Sequence, residues 1–166
     1  MKMGVISRFL GVVPKEERRG IRLEEAEPWT VSPTKDVERF LRALPLLVPE
    51  GSIVYFEGTG EPHVREYLGR ISIPAQAQVE LGTIWPRPDT YHVAVSQDSM
   101  DALATFLEKE PAGFFCAHCH VYRDGAILVA WHDAFFDDPM YVSRAISEDR
   151  VREFADRLGG SLSSGR

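Results

Sequence analysis

Two hydrophobic periods alternate along the chain and divide it into helices and strands. Val37, Phe40, Leu41 and Leu44 recur at i, i+3, i+4 and i+7, which is one face of a helix. Ser32-Pro33 in front of them offers an N-cap followed by proline at the first helical position, and Pro45 is the expected stop. A Pro49-Glu50-Gly51 turn leads into SIVYFE (52–57), a β-branched and aromatic run that ends at Gly58. A short helix is expected from Pro62 to Leu68 with Gly69 after it, then a strand with a bend through AQAQVELGTIW, broken by Pro86 and Pro88. YHVAVS (91–96) reads as another strand. Ser96 or Asp98 then opens a helix that runs to Lys109, with Met100, Leu103 and Leu107 on one side.

The strongest local signal lies further on. Residues 114–123 and 126–133 are strand-like runs joined by Asp124-Gly125, the preferred two-residue hairpin turn. A final helix is expected behind Ser147. Glu148 and Asp149 lie in its first turn, Val151, Phe154, Ala155 and Leu158 form its stripe, and Gly159-Gly160 closes it. These elements describe an α+β fold: a mainly antiparallel sheet of about five strands, helices packed on one face, and a C-terminal hairpin followed by a helix. Residues 1–31 read as an irregular N-terminal arm, 32–160 as a single domain and 161–166 as a flexible tail.

Composition supports a globular chain and narrows its partners. The 166 residues are 44% hydrophobic and 27% charged, with a formal net charge of −6. That charge repels nucleic acid and anionic membranes. The one basic cluster, Lys15, Arg18, Arg19 and Arg22, is interleaved with Glu16, Glu17, Glu24 and Glu25 and reads as a solvated face. No stretch approaches the roughly 20 apolar residues that span a bilayer. Two cysteines suit a reducing compartment, and Arg8 splits the apolar run near the start, so a cytoplasmic location is expected.

Candidate chemistry concentrates in FCAHCHV (115–121), where two cysteines and two histidines fall within five positions. An undistorted hairpin sets Arg123 opposite Ala126, His120 opposite Val129, His118 opposite Trp131 and Cys116 opposite Asp133. One face then carries Phe115, Ala117, Cys119 and Val121 with Leu128, Ala130 and His132. The other carries Cys116, His118, His120 and Tyr122 with Ile127, Val129, Trp131 and Asp133. On such a strand Cys116 and Cys119 point to opposite sides with Cα atoms about 10 Å apart, beyond disulfide reach. His118 and His120 share a face about 6.6 Å apart, a spacing that lets two imidazoles reach one ion.

Two functional readings follow. The first is a non-catalytic protein-interaction module, a homodimer among its forms, that uses the face of His118, His120, Tyr122 and Trp131; aromatic side chains are favoured at interface cores. It needs no cofactor. The alternative is a zinc-type metal-dependent hydrolase with His118, His120 and Asp133 around the ion, Asp133 or Glu57 as base, and His92 joining if its strand lies alongside.

Overall fold

The computed structural model describes residues 11–109 and 115–164. In chain order the elements are β1 (Trp29–Val31), α1 (Val37–Leu47), β2 (Ile53–Glu57), α2 (Pro62–Ile71), β3 (Thr90–Ala94), α3 (Gln97–Leu107), β4 (His118–Arg123), β5 (Ala126–Trp131), β6 (Met140–Val142), α4 (Glu148–Arg157) and β7 (Leu162–Ser164). The strands form one sheet in the order β3-β2-β4-β5-β6-β1-β7, and every neighbouring pair is antiparallel.

The helices begin and end where local chemistry allows, which is not always where the sequence pattern suggests. Asp36, rather than Ser32, caps α1: its carboxylate accepts the Arg39 N–H at 2.9 Å. Ser32 is engaged elsewhere, its hydroxyl accepting the Ser161 N–H at 2.8 Å. Pro45 does not stop α1, which runs on to Leu47. The proline removes one donor in the last turn only, and the Val48 N–H still reaches the Leu44 carbonyl at 3.2 Å. In α3 the Ser96 and Ser99 side chains cap reciprocally.

The apolar stripes of the four helices among the described residues join one buried cluster with one set of strand residues. Phe40, Leu41 and Leu44 of α1, Val64 and Leu68 of α2, Met100 and Leu103 of α3, and Val151 and Phe154 of α4 belong to a single buried cluster. The sheet contributes Val54, Phe56, Val93, Cys119, Val121 and Trp131 to it. Trp131 lies at the middle, with its ring centroid 5.1 Å from Phe40 and 4.6 Å from Phe135. Its indole N–H donates to the Asp138 carbonyl at 2.8 Å, so the one polar atom of the ring is satisfied.

Three expectations need correction. The sheet has seven strands, not about five. AQAQVELGTIW is not a strand; among the described residues its ladder contact is an isolated bridge between Ile21 and Val79. The additional strands are the three-residue β1, β6 and β7, and β1 and β7 come from segments read as an arm and a tail. Strands this short carry too few residues for an alternation to register. The third correction concerns the hairpin. Its turn is as expected, with Asp124 and Gly125 both at positive φ. The register then shifts between Tyr122 and Val121, which pair with Ile127 and Val129 and leave Leu128 as an extra residue on β5. Beyond this bulge Cys119 faces Trp131 and His120 faces Ala130. A slip of one residue exchanges the faces of everything after it. Trp131 therefore enters the helix-covered core, and His132 joins the histidines.

The second face of the sheet is covered by two irregular segments, residues 11–23 and 73–87, which together form a strap. Ile21, Leu23, Ile73, Ala77, Val79 and Leu81 of the strap pack over Ile53, Tyr55, Tyr122, Ile127 and Ala130. Trp131 belongs to the larger core beneath the helices, so Trp131→Ala should lower the unfolding free energy by about 3–5 kcal/mol. Urea denaturation with a two-state fit measures this.

Candidate functional site

Strand alternation places a row of polar and aromatic side chains beneath the strap. Glu57 lies opposite His118, Tyr55 opposite His120 and Ile53 opposite Tyr122 across β2 and β4. On the other side of β2, Tyr55 faces His92 of β3. The Tyr55 ring stacks on His120 with centroids 5.9 Å apart and meets His92 edge-on at 5.3 Å. His118 and His120 are parallel, 6.5 Å between centroids. His132, just past β5, stands across both, 5.3 Å from His118 and 4.8 Å from His120. Glu57, His92, His118, His120 and Tyr122 are buried, whereas His132 and Asp133 are exposed at the rim.

Hydrogen bonds define the state of each group. The Glu57 carboxylate, fully buried, accepts from the Tyr55 hydroxyl at 2.9 Å, the Gly82 N–H at 3.2 Å and the Thr83 N–H at 2.6 Å. His118 Nδ1 accepts the Asp133 N–H at 3.1 Å, and His120 Nδ1 accepts the Trp131 N–H at 3.2 Å. A neutral ring that accepts at Nδ1 carries its proton on Nε2. Each imidazole thus spends its one lone pair on backbone and presents a donor at Nε2, whereas a metal ligand keeps a free nitrogen lone pair and usually donates through the other nitrogen. His92 Nδ1 lies 2.8 Å from the Tyr122 hydroxyl, which also accepts the Gln76 N–H at 3.2 Å.

Burial dominates the electrostatics. It depresses His92, and it depresses His120 to about 3, with the neighbouring His132 and His118 adding to the effect. His118 is also lowered, chiefly by burial and further by His132, against the opposing pull of the Glu57 and Asp133 carboxylates. Burial and the adjacent Glu57 carboxylate push the Tyr55 phenol upward.

The cysteines are not part of this face. β4 begins only at His118, so Cys116 lies before the strand and enters the same helix-covered core as Cys119. That corrects the expectation of opposite faces, which assumed an unbroken strand from residue 114, itself outside the described residues. Both thiols are free and buried, and burial raises both pKa values, which keeps them protonated and unreactive.

Of the residues marked in the sequence, His118, His120 and Tyr122 do lie together, under the strap. Trp131 is on the opposite side of the sheet. Asp133 meets His118 through its backbone N–H while its carboxylate belongs to an exposed residue. Among the described residues no group of three or more His, Cys, Asp or Glu side chains is arranged to hold a metal ion. Tyr55 has no role in the pattern, and His132, which the pattern puts on the apolar face with Cys119, stands instead beside His118 and His120. Finding them required the β2–β4 pairing and the Leu128 bulge. Space beneath the strap is small: a hollow of about 30 Å³ is bounded by His120, His132 and Val79, and one of about 210 Å³ reaches Tyr55 and His92.

Two consequences can be measured. A Cβ at Gly82 would lie 2.6 Å from the His118 ring, so Gly82→Ala should cost about 1–3 kcal/mol, read from the shift in denaturation midpoint. Histidines depressed in the folded state bind fewer protons than they do unfolded. Their contribution to stability is therefore complete above their ordinary value near 6.5 and is lost as pH falls from there toward the folded value. Thermal melts from pH 7.5 to 4.5 should show a falling midpoint. His120→Asn, whose side-chain oxygen can still accept the Trp131 N–H, should flatten that slope.

No known protein-family model, curated protein or solved structure matches this chain.

Proposed function

We propose that this protein is a non-catalytic protein-interaction module whose contact surface is the outer side of the strap, with a second copy of the chain as partner. The observation that carries this reading is the exposure of two large apolar side chains on a fixed loop. Ile84 is 52% and Trp85 64% exposed. The preceding Gly82 and Thr83 are held from beneath by the buried Glu57 carboxylate. An aromatic side chain presented on a backbone ordered in advance loses little further entropy on binding, which is the property of an interface anchor. Exposed apolar side chains of this size on a polar surface mark contact sites.

The chemistry of the covered face favours the same reading. Its imidazoles are neutral and occupied by backbone donors, and the thiols lie in the other core. The side chains His118, His120 and Tyr122 serve here to seat the strap, so the contact surface moves from that face to the strap's outside.

Sedimentation velocity from low to high micromolar concentration tests the proposal. A reversible dimer is expected, and Trp85→Ala should weaken it by about 30-fold or more without changing the thermal midpoint. A strict monomer at the highest concentration, or a dimer indifferent to Trp85→Ala, rejects it.

A further inference from the structure

The two strap segments are tied to each other more thoroughly than to the sheet. Five backbone hydrogen bonds zip residues 11–21 to residues 78–87: Val13 N–H to Ile84 O, Ile21 N–H to Gln78 O, Glu80 N–H to Ile21 O, Leu81 N–H to Arg18 O and Arg87 N–H to Gly11 O. The zipper is close, since a Cβ on Gly20 would lie 2.5 Å from the Gln78 carbonyl oxygen and the Glu80 nitrogen. Backbone bonds from the strap's second segment to the sheet region occur, among the described residues, at its two ends. Ile73 N–H meets the His92 carbonyl, and two residues past the segment's other end the Asp89 carbonyl accepts the Gly58 N–H.

Between these ends the strap is fastened by side chains. Gly82 and Thr83 donate to Glu57, and Gln76 donates to the Tyr122 hydroxyl. The apolar contact beneath is thin. Among the described strap residues, Val79 is buried in that cluster and Val13 is buried outside it; Ile21, Leu23, Ile73, Ala77 and Leu81 are only partly buried. A segment that is well bonded internally, tethered at its ends and lightly seated is one that can open as a unit while the rest stays folded.

We infer that the zipped segments 11–21 and 73–87 form a hinged strap that lifts from the sheet as one body, with Glu57 as its latch and the face of Tyr55, His118, His120 and Tyr122 uncovered when it opens. Opening dismantles the platform under Ile84 and Trp85 and exposes a polar, aromatic surface in its place. The effect on association rests on the contact surface proposed above. The opening itself does not, because it is a property of the monomer.

Amide hydrogen exchange resolved by residue, on dilute monomeric protein at neutral pH, tests it. The donors Gln76, Gly82 and Thr83 report the strap–sheet contacts, while Val54 and Val121 report the sheet. The three strap amides should share one opening equilibrium and exchange at least about 100-fold faster than the sheet amides. Glu57→Gln should speed the strap amides by a further factor of about 10 or more and leave the sheet amides unchanged. Val79→Ala, which leaves the latch intact, should do the same through lost packing and guards against a misfolded Glu57 variant. Equal protection of strap and sheet would overturn the inference, as would unrelated rates among the strap amides or variants that accelerate both layers alike. Failure of the dimer test would leave this exchange pattern untouched.

Discussion

A carboxylate cannot be carried into a protein interior without hydrogen-bond donors to replace the water it gives up, and that requirement at Glu57 organises one whole side of this molecule. The residue sits at the end of β2, fully buried. Its donors come from Tyr55 on the same strand and from two backbone amides of a loop 25 and 26 residues further on. The sheet alone would leave Glu57 short of partners, and the strap alone has few apolar residues to keep it in place. Each completes the other. Gly82 follows from the same demand, since only a residue without a side chain can bring its N–H to Glu57 beside the His118 ring.

The histidines follow a related logic on the adjacent strand. The β5 bulge and the turn beyond it leave the Trp131 and Asp133 amides pointing at imidazole nitrogens instead of a ladder partner. Neutral imidazole is a suitable acceptor for a buried N–H, because it is compact and carries no charge that burial would penalise. The Asp133 and Phe135 backbones take left-handed φ values of 46° and 68° in that turn. For phenylalanine this conformation is strained. It is held by the burial of the Phe135 ring against Phe40, Phe115 and Trp131.

Much of this was legible in the sequence, and what was not has identifiable causes. The four helical stripes and the Asp124-Gly125 turn act over a few residues, and their patterns survive in the fold. Ser32 was misread because its hydroxyl has a better use 129 residues away. The membership of that face differs from the pattern for one reason: Leu128 is an apolar residue in an apolar run, so nothing local distinguishes it from a regular strand position. Its slip sent Trp131 to one core and His132 to the other side. The strap was unreadable because it has no period. Its order comes from backbone bonds between segments some 60 residues apart and from a glutamate whose burial only the assembled sheet reveals.

The far end of the sheet has a consequence for the order in which the molecule can be made. β1, near the start of the chain, lies between β6 and β7, so residues 29–31 pair with 140–142 on one side and 162–164 on the other. During synthesis β1 emerges early and waits for more than a hundred residues before either neighbour exists. The β4–β5 pairing closes over a two-residue turn, whereas the β6-β1-β7 side of the sheet depends on contacts of very high sequence separation. A nascent chain must therefore hold the Trp29–Val31 segment unpaired until residues 140–164 have been made, and the sheet closes by drawing together segments more than a hundred residues apart.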